Sequence, residues 1–134
     1  MRGSKADSQA EPRLRLEQLE ERIAPAGNVI VTVSGGNLTL TGDAEANAFM
    51  IDHSGLGLSE LRITPGAGTT LDGGASEVIV HGITGIKMAL GDGDDSPVLN
   101  GITLAKNVVV DTGGGNNSLV VTSLTSIGGA LTMK

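Results

Sequence analysis

The sequence predicts an all-β protein, a parallel β-solenoid of about five coils preceded by a short N-terminal helix. The main observation is a repeat: the 22 residues from Gly91 recur from Gly113 with matching glycines and aliphatic positions. A unit this short cannot bury its own apolar side chains, so successive copies must stack and share a core. The composition agrees, because its many Val and Ile residues suit strands and Phe49 is the single aromatic residue.

Residues 1–26 are predicted to hold a disordered start followed by an amphipathic helix over residues 12–23. The helix is expected to stop at Pro25, because proline interrupts helical hydrogen bonding. It could serve as a lid over the first coil of the body or as a sorting or docking segment. Its apolar stripe follows the spacing i, i+3 and i+7: Leu16, Leu19 and Ile23.

Residues 27–134 change to alternating apolar spacing and form the predicted repeat domain. The segments 29–33 and 38–41 are two strands separated by a glycine turn. Three later strands carry aliphatic pairs expected to point inward and to stack at a strand spacing of about 4.8 Å. These pairs are Ile86 and Met88, Val108 and Val110, and Leu131 and Met133.

The charge and the absence of cysteine exclude several classes of function. The net charge is −6, and the body has no basic stripe with interleaved aromatic residues, which argues against nucleic-acid binding. Without cysteine there is no disulfide and no thiolate chemistry. No apolar run is long enough for a membrane span, and residues 1–26 lack the apolar core of a secretory signal peptide, so a conventional signal is not the expected export route.

The segment LRLEQLEERIAPA resembles a motif near the start of many large surface or secreted proteins of planctomycete-type bacteria. The body is similar to the Gly- and Asn/Asp-rich β-solenoid repeats that follow such motifs. The resemblance implies a protein of the cell surface or extracellular matrix, with the N-terminal motif as its sorting signal. The matching positions are Leu16, Glu17, Leu19, Glu20, Arg22 and Pro25.

The run GDGDD at 91–95 resembles a calcium-binding haemolysin-type repeat, and the resemblance implies that Asp92, Asp94 and Asp95 hold calcium. Calcium takes six to eight oxygen ligands, which carboxylates and backbone carbonyls supply. In the second copy, however, residues 116 and 117 are amides rather than carboxylates. The alternative is therefore a solvated corner, or an asparagine ladder without metal. No other cofactor is expected.

Two further features are weak candidates for a catalytic or metal site. Asp52, His53 and Ser54 are the residue types of a hydrolytic triad, but neighbouring residues of a strand point to opposite faces. His81 has no predicted partners from which a zinc site could be built. A carbohydrate-active enzyme would also need paired carboxylates in a cleft, and the body has no aromatic platform for sugar rings.

These observations predict a non-enzymatic structural or assembly element of a bacterial cell surface or extracellular matrix. A terminal coil exposes unpaired backbone groups, so the expected mechanism is end-to-end stacking. The expected partner is the protein itself, as a second copy or as continuing coils of a longer chain. The alternative is a calcium-dependent binding or adhesion module similar to the repeats of haemolysin-type toxins.

Overall fold

The computed structural model describes residues 27–53, 55–57, 59–122 and 124–134. All regular structure within these residues is β. The strands in chain order are β1 (Gly27–Ser34), β2 (Asn37–Thr41), β3 (Ala48–Asp52), β4 (Leu61–Pro65), β5 (Thr69–Leu71), β6 (Val78–Val80), β7 (Gly85–Ala89), β8 (Ser96–Leu99), β9 (Thr103–Leu104), β10 (Val108–Asp111), β11 (Val120–Val121), β12 (Ser126–Ile127) and β13 (Leu131–Met133). The predicted helix over residues 12–23 and the N-terminal motif lie outside the described residues.

The strands belong to three sheets. A six-stranded sheet has the order β13-β10-β7-β2-β1-β5, and a five-stranded sheet has the order β11-β8-β3-β4-β6. The third sheet contains β12 and β9. As the chain passes from β7 to β13 it visits all three sheets in turn, so each sheet receives strands from both copies of the repeat.

The predicted parallel β-solenoid of about five coils is wrong. The sheets are mixed, since the pairings β1–β2, β3–β4 and β4–β6 are antiparallel, and their strands are short. One physical reason lies at Gly35 and Gly36, whose φ angles are 57° and 83°. Positive φ at both positions suits a tight hairpin turn, which reverses the chain at once. The first half of the chain therefore does not continue the repeat of the second half.

The two copies of the repeat pair with each other in parallel. Val108 lies between Ile86 on one side and Leu131 on the other. The ladders β8–β11 and β9–β12 are parallel as well, and their partners are 22 or 23 residues apart. Pairing of β2 with β7 places Leu38 beside Ile86 and so extends the same row. A second row runs beside it through Leu40, Met88, Val110 and Met133.

A single apolar core lies between the sheets, and burial of each large aliphatic side chain in it stabilises the fold by about 1.5–3 kcal/mol. Both rows described above are fully buried at Val108 and Val110 but emerge at the surface at β13. The buried apolar residues are Val29, Leu38, Leu40, Phe49, Ile51, Leu61, Ile63, Leu71, Val80, Ile83, Ile86, Met88, Leu90, Leu99, Ile102, Leu104, Val108 and Val110.

The corner between β10 and β11 stacks directly on the corner between β7 and β8. A Cβ atom on Gly113 would collide with the carbonyl oxygen of Gly91, and a Cβ atom on Gly115 would collide with that of Gly93. Both Gly113 and Gly115 have positive φ. The repeated glycines are thus required for the close approach of two backbones as well as for their conformation.

Candidate functional site

The predicted calcium ligands Asp92, Asp94 and Asp95 lie in the corner between β7 and β8, which we call the acidic corner (residues 91–95). It is stacked between the corner that precedes β3 and the corner that precedes β11. Asp94 Oδ1 accepts a hydrogen bond of 2.8 Å from the N–H of Asn116. Asp92 Oδ1 lies close to Gly114, where it would be 2.9 Å from an added Cβ atom. Two of the three carboxylates therefore face the backbone of the next corner.

Asn47, Asp95 and Asn117 form a ladder of side chains across the three corners. Asp95 Oδ1 accepts a hydrogen bond of 2.8 Å from the N–H of Asn47. Asn117 Oδ1 accepts a bond of the same length from the N–H of Asp95. The side chains of Asp95 and Asn117 thus each bind the backbone of the preceding corner, whereas the Asn47 side chain bonds Asp43 in its own corner. Asn47 and Asp95 are almost completely buried. The ladder fixes the register of the three corners.

Asn117 uses its amide group to satisfy the carbonyl groups of its own corner. Its Nδ2 donates to the carbonyl oxygens of Thr112 at 3.2 Å and Gly114 at 3.1 Å. The residues that correspond one repeat earlier are Leu90 and Asp92. Asp95 has no amide to donate to them, and its Oδ2 is buried without a hydrogen-bond partner in the described part of the chain. Asp95 therefore has a carboxylate oxygen at the position where Asn117, one repeat later, has an N–H donor.

The electrostatics of the acidic corner follow from this burial. Desolvation raises the pKa of Asp95 to about 6, although the hydrogen bond from Asn47 opposes the shift. The negative charges of Asp43, Asp94 and Asp92 raise the pKa further. Desolvation disfavours a charged carboxylate, so Asp95 stays protonated to a higher pH than an exposed aspartate, up to about 6.

Asp43 belongs to this cluster but was not predicted as part of it. Burial raises the pKa of Asp43, yet hydrogen bonds from the N–H groups of Asn28 and Glu45 and from the Asn47 side chain outweigh burial and lower it. The bond from Asn28 to Asp43 Oδ2 is 2.8 Å long. The signal in the sequence was the pair Gly42-Asp43 at the end of a strand, which resembles the start of the acidic corner.

No group of three or more His, Cys, Asp or Glu side chains in residues 27–53, 55–57, 59–122 and 124–134 is arranged to hold a metal ion. The three aspartates of the acidic corner share a corner but make separate contacts. Their role as calcium ligands remains a prediction.

The residues considered for catalysis lie apart from the acidic corner. Asp52 forms an ion pair of 3.5 Å with Arg62, while Ser54 lies outside the described residues. His53 and Glu60 line a cavity of about 430 Å³ whose floor includes Leu61 and Leu104. His81 is mostly exposed, and its Nδ1 lies 2.9 Å from Glu60 Oε2. This pair is a surface contact, which ordinarily contributes little to stability.

A second candidate site is formed by β11, β12 and β13, each of which is the last strand of its sheet. We call this surface the open end. It carries five of the eight exposed large apolar residues in the described chain, and Leu124 is the most exposed of them, at 79%. The only charged side chain in residues 113–134 is Lys134. The five residues are Val120, Val121, Leu124, Leu131 and Met133.

The backbone of β13 is oriented to accept another strand. The carbonyl oxygen of Ala130 accepts a hydrogen bond from Val108, and the N–H of Lys134 donates to Val110. In a parallel ladder, alternate residues of a strand bond to the strand on one side, and the residues between them face the other side. Leu131 and Met133 therefore direct their N–H and C=O groups to the open side, as Val108 and Val110 do one repeat earlier.

No family model matches this chain, and neither the curated proteins nor the solved structures contain a match to it. Within the described residues, no helix is sufficiently long and apolar to cross a membrane.

Proposed function

We propose that this protein is a non-enzymatic structural element of a bacterial cell surface or extracellular matrix, and that it works by self-association at the open end. The observation that carries the proposal is that all three sheets end there on uncharged strands, two of which, β11 and β13, expose aliphatic side chains. Proteins usually protect such edges with charged residues or proline, because an exposed edge strand pairs readily with another chain. The absence of protection favours a surface used for pairing.

The location is supported by the sequence alone. The N-terminal segment resembles the sorting motif of large surface or secreted bacterial proteins. A matrix protein of this kind needs a surface that binds its own copies. The open end meets that need without any catalytic group.

The test is the molar mass of the 134-residue chain, measured by light scattering or sedimentation over a wide range of concentrations. We expect the mass to rise with concentration. Leu131→Lys should keep the protein monomeric, because a charge then lies at the edge of the largest sheet. Ile30→Lys is the matched control, since Ile30 is about equally exposed but lies on β1, which is paired on both sides. A monomer at every concentration would refute the proposal.

A second candidate function, a calcium-dependent module, is favoured by one observation. The buried Oδ2 of Asp95 lacks a donor, and a hard cation would satisfy it together with nearby carbonyl groups. If calcium binds there, the melting temperature should rise with calcium and fall with a chelator. The double variant Asp94→Asn, Asp95→Asn should lose the response, whereas Asp72→Asn at the other end of the molecule should keep it. Identical melting curves with and without calcium would exclude this function.

A further inference from the structure

The open end carries enough detail to specify how two copies would meet. We infer that β13 of one copy pairs antiparallel with β13 of a second copy, about a two-fold axis that passes through Thr132. The inference rests on the proposed function and adds the partner and the geometry of contact.

The backbone of β13 matches itself under this symmetry. A two-fold axis at Thr132 places Leu131 opposite Met133 of the second copy, and Met133 opposite Leu131. Both residues turn their N–H and C=O groups to the open side, because Ala130 and Lys134 make the bonds to β10. In an antiparallel ladder such opposed residues exchange both hydrogen bonds. The two pairs therefore satisfy every outward backbone group of Leu131 and Met133 in each copy.

The side chains of β13 also gain from this pairing. Leu131 and Met133 continue the rows that are fully buried at Val108 and Val110, yet they are 44% and 51% exposed. Across the two-fold axis, Leu131 of one copy would cover Met133 of the second copy, and Met133 would cover Leu131 of the second copy. Lys134 would lie opposite Ala130, and the two Lys134 residues would be separated by about 13 Å along the strands, so their charges do not oppose the contact.

The opposite end of the molecule is a less suitable partner for the open end than a second open end is. Its edge strands are β5 and β6. Leu71 of β5 is already buried and bridges to Gly74, which folds the chain back along that edge. Asp72 and Glu77 add carboxylates there, and charges at an edge oppose further strand pairing. The best match to the open end is therefore a second open end, which gives a closed dimer with the same patch on both copies.

A single cysteine tests the geometry, because the chain has no cysteine of its own. Thr132 would face Thr132 of the second copy at a site without direct hydrogen bonds, where Cα atoms are about 4.5 Å apart. A disulfide accepts that separation. We expect Thr132→Cys to form a covalent dimer under mild oxidation. Val33→Cys is the control, because Val33 is similarly exposed on the hairpin of β1 and should give far less dimer.

A second variant tests the backbone bonds. Met133→Pro removes an N–H that faces the open side, and the bonds of β13 to β10 are made by its neighbours, so the fold should persist. We expect the molar mass to fall to that of the monomer, with a melting temperature close to that of the wild type at a dilution where the wild type is itself monomeric. Met133→Ala should still dimerise, though more weakly.

The outcomes separate the two proposals. If the wild-type chain associates but Thr132→Cys cross-links no better than Val33→Cys, and Met133→Pro still associates, the two-fold pairing is refuted and the proposed function stands. If the wild-type chain is monomeric at every concentration, both are refuted.

Discussion

Asn117 Oδ1 accepts a hydrogen bond of 2.8 Å from the N–H of Asp95, which occupies the same position one repeat earlier. The two residues make the same type of bond through one oxygen and differ in the second polar atom. In Asn117 that atom is an amide donor that satisfies carbonyl groups of its own corner. In Asp95 it is a buried oxygen without a donor. An amide therefore suits this position better than a carboxylate does.

Stability should depend on pH through Asp95. Its pKa in the folded state, about 6, lies above the ordinary value of 3.8, so the folded chain binds more protons than the unfolded chain between these values. The stabilisation that Asp95 contributes to the folded state is fully present below pH 3.8 and is lost as the pH rises through about 6. We expect the free energy of unfolding, measured with urea, to decrease from pH 4 to pH 7. The lowered pKa of Asp43 acts below this window. A flat profile would contradict the assignment.

Asp95→Asn should stabilise the protein at pH 7. The new amide can donate to the carbonyl groups around it, as Asn117 does, and the cost of a buried unpaired oxygen is removed. We expect the free energy of unfolding to rise by about 1–3 kcal/mol, and the part of the pH dependence that comes from Asp95 to disappear. Asp92→Asn is the control, because the Asp92 side chain is exposed and should change stability little. Loss of stability in Asp95→Asn would mean that the carboxylate is needed, as in a calcium site.

Asn117→Asp should have the opposite effect. The substitution removes the donor to Thr112 and Gly114 and places a carboxylate oxygen against their carbonyl groups. We expect a loss of about 1–3 kcal/mol at pH 7. Part of the loss should be recovered near pH 4, where a protonated carboxyl can donate. Thermal melting at both pH values measures the effect, and equal melting temperatures for variant and wild type would count against the ladder.

Gly113→Ala and Gly35→Ala separate backbone strain from steric contact. The two glycines have similar positive φ angles, 67° and 57°. Each alanine should therefore cost roughly 1 kcal/mol in backbone strain. A Cβ atom at residue 35 meets nothing within 4 Å, whereas one at residue 113 collides with Gly91. We expect Gly113→Ala to cost about 1–3 kcal/mol more. If urea denaturation gave equal losses of stability for the two variants, the corner that contains Gly113 would not be in contact with the corner that contains Gly91.

Met88→Ala and Met133→Ala compare the interior and the end of one row of side chains. Met88 is fully buried, whereas Met133 is half exposed. We expect Met88→Ala to lower the free energy of unfolding by about 2–5 kcal/mol. Met133→Ala should cost less than about 1 kcal/mol at a dilution where the protein is monomeric. A large cost at Met133 would indicate that it is covered in the monomer.

Periodicity in the sequence was sufficient to indicate three strands of the second half and an alignment between them, but not the short strands β8, β9, β11 and β12. Ile86 and Val108 precede Gly91 and Gly113 by the same spacing, and Leu131 matches them if one residue is inserted near residue 127. In the structure these residues are paired across β7, β10 and β13. The prediction works because a side-chain period of two leaves one register that puts the aliphatic face inward. The same spacing did not reveal the antiparallel first half, although the glycine pair at 35 and 36 was itself identified as a turn.

The acidic corner shows a similar division. Its aspartates could be identified from GDGDD, because repeated glycines and carboxylates mark a corner. Its chemistry could not be identified, since the burial of Asp95 and the presence of Asp43 depend on corners 48 residues and more apart in the chain coming together.

Local order along the chain was therefore enough to indicate the β composition and the repeat, and four of the six aliphatic residues predicted to point inward, Ile86, Met88, Val108 and Val110, are buried. The choice of partner for each strand, the raised pKa of Asp95 and the exposure of β13 arise from contacts between distant segments. Strand pairing satisfies backbone groups that are identical in every residue, so the pattern of side chains alone does not specify which strands meet or in which direction. Packing of the whole core selects among the possible pairings, and it leaves the edges of β11, β12 and β13 open.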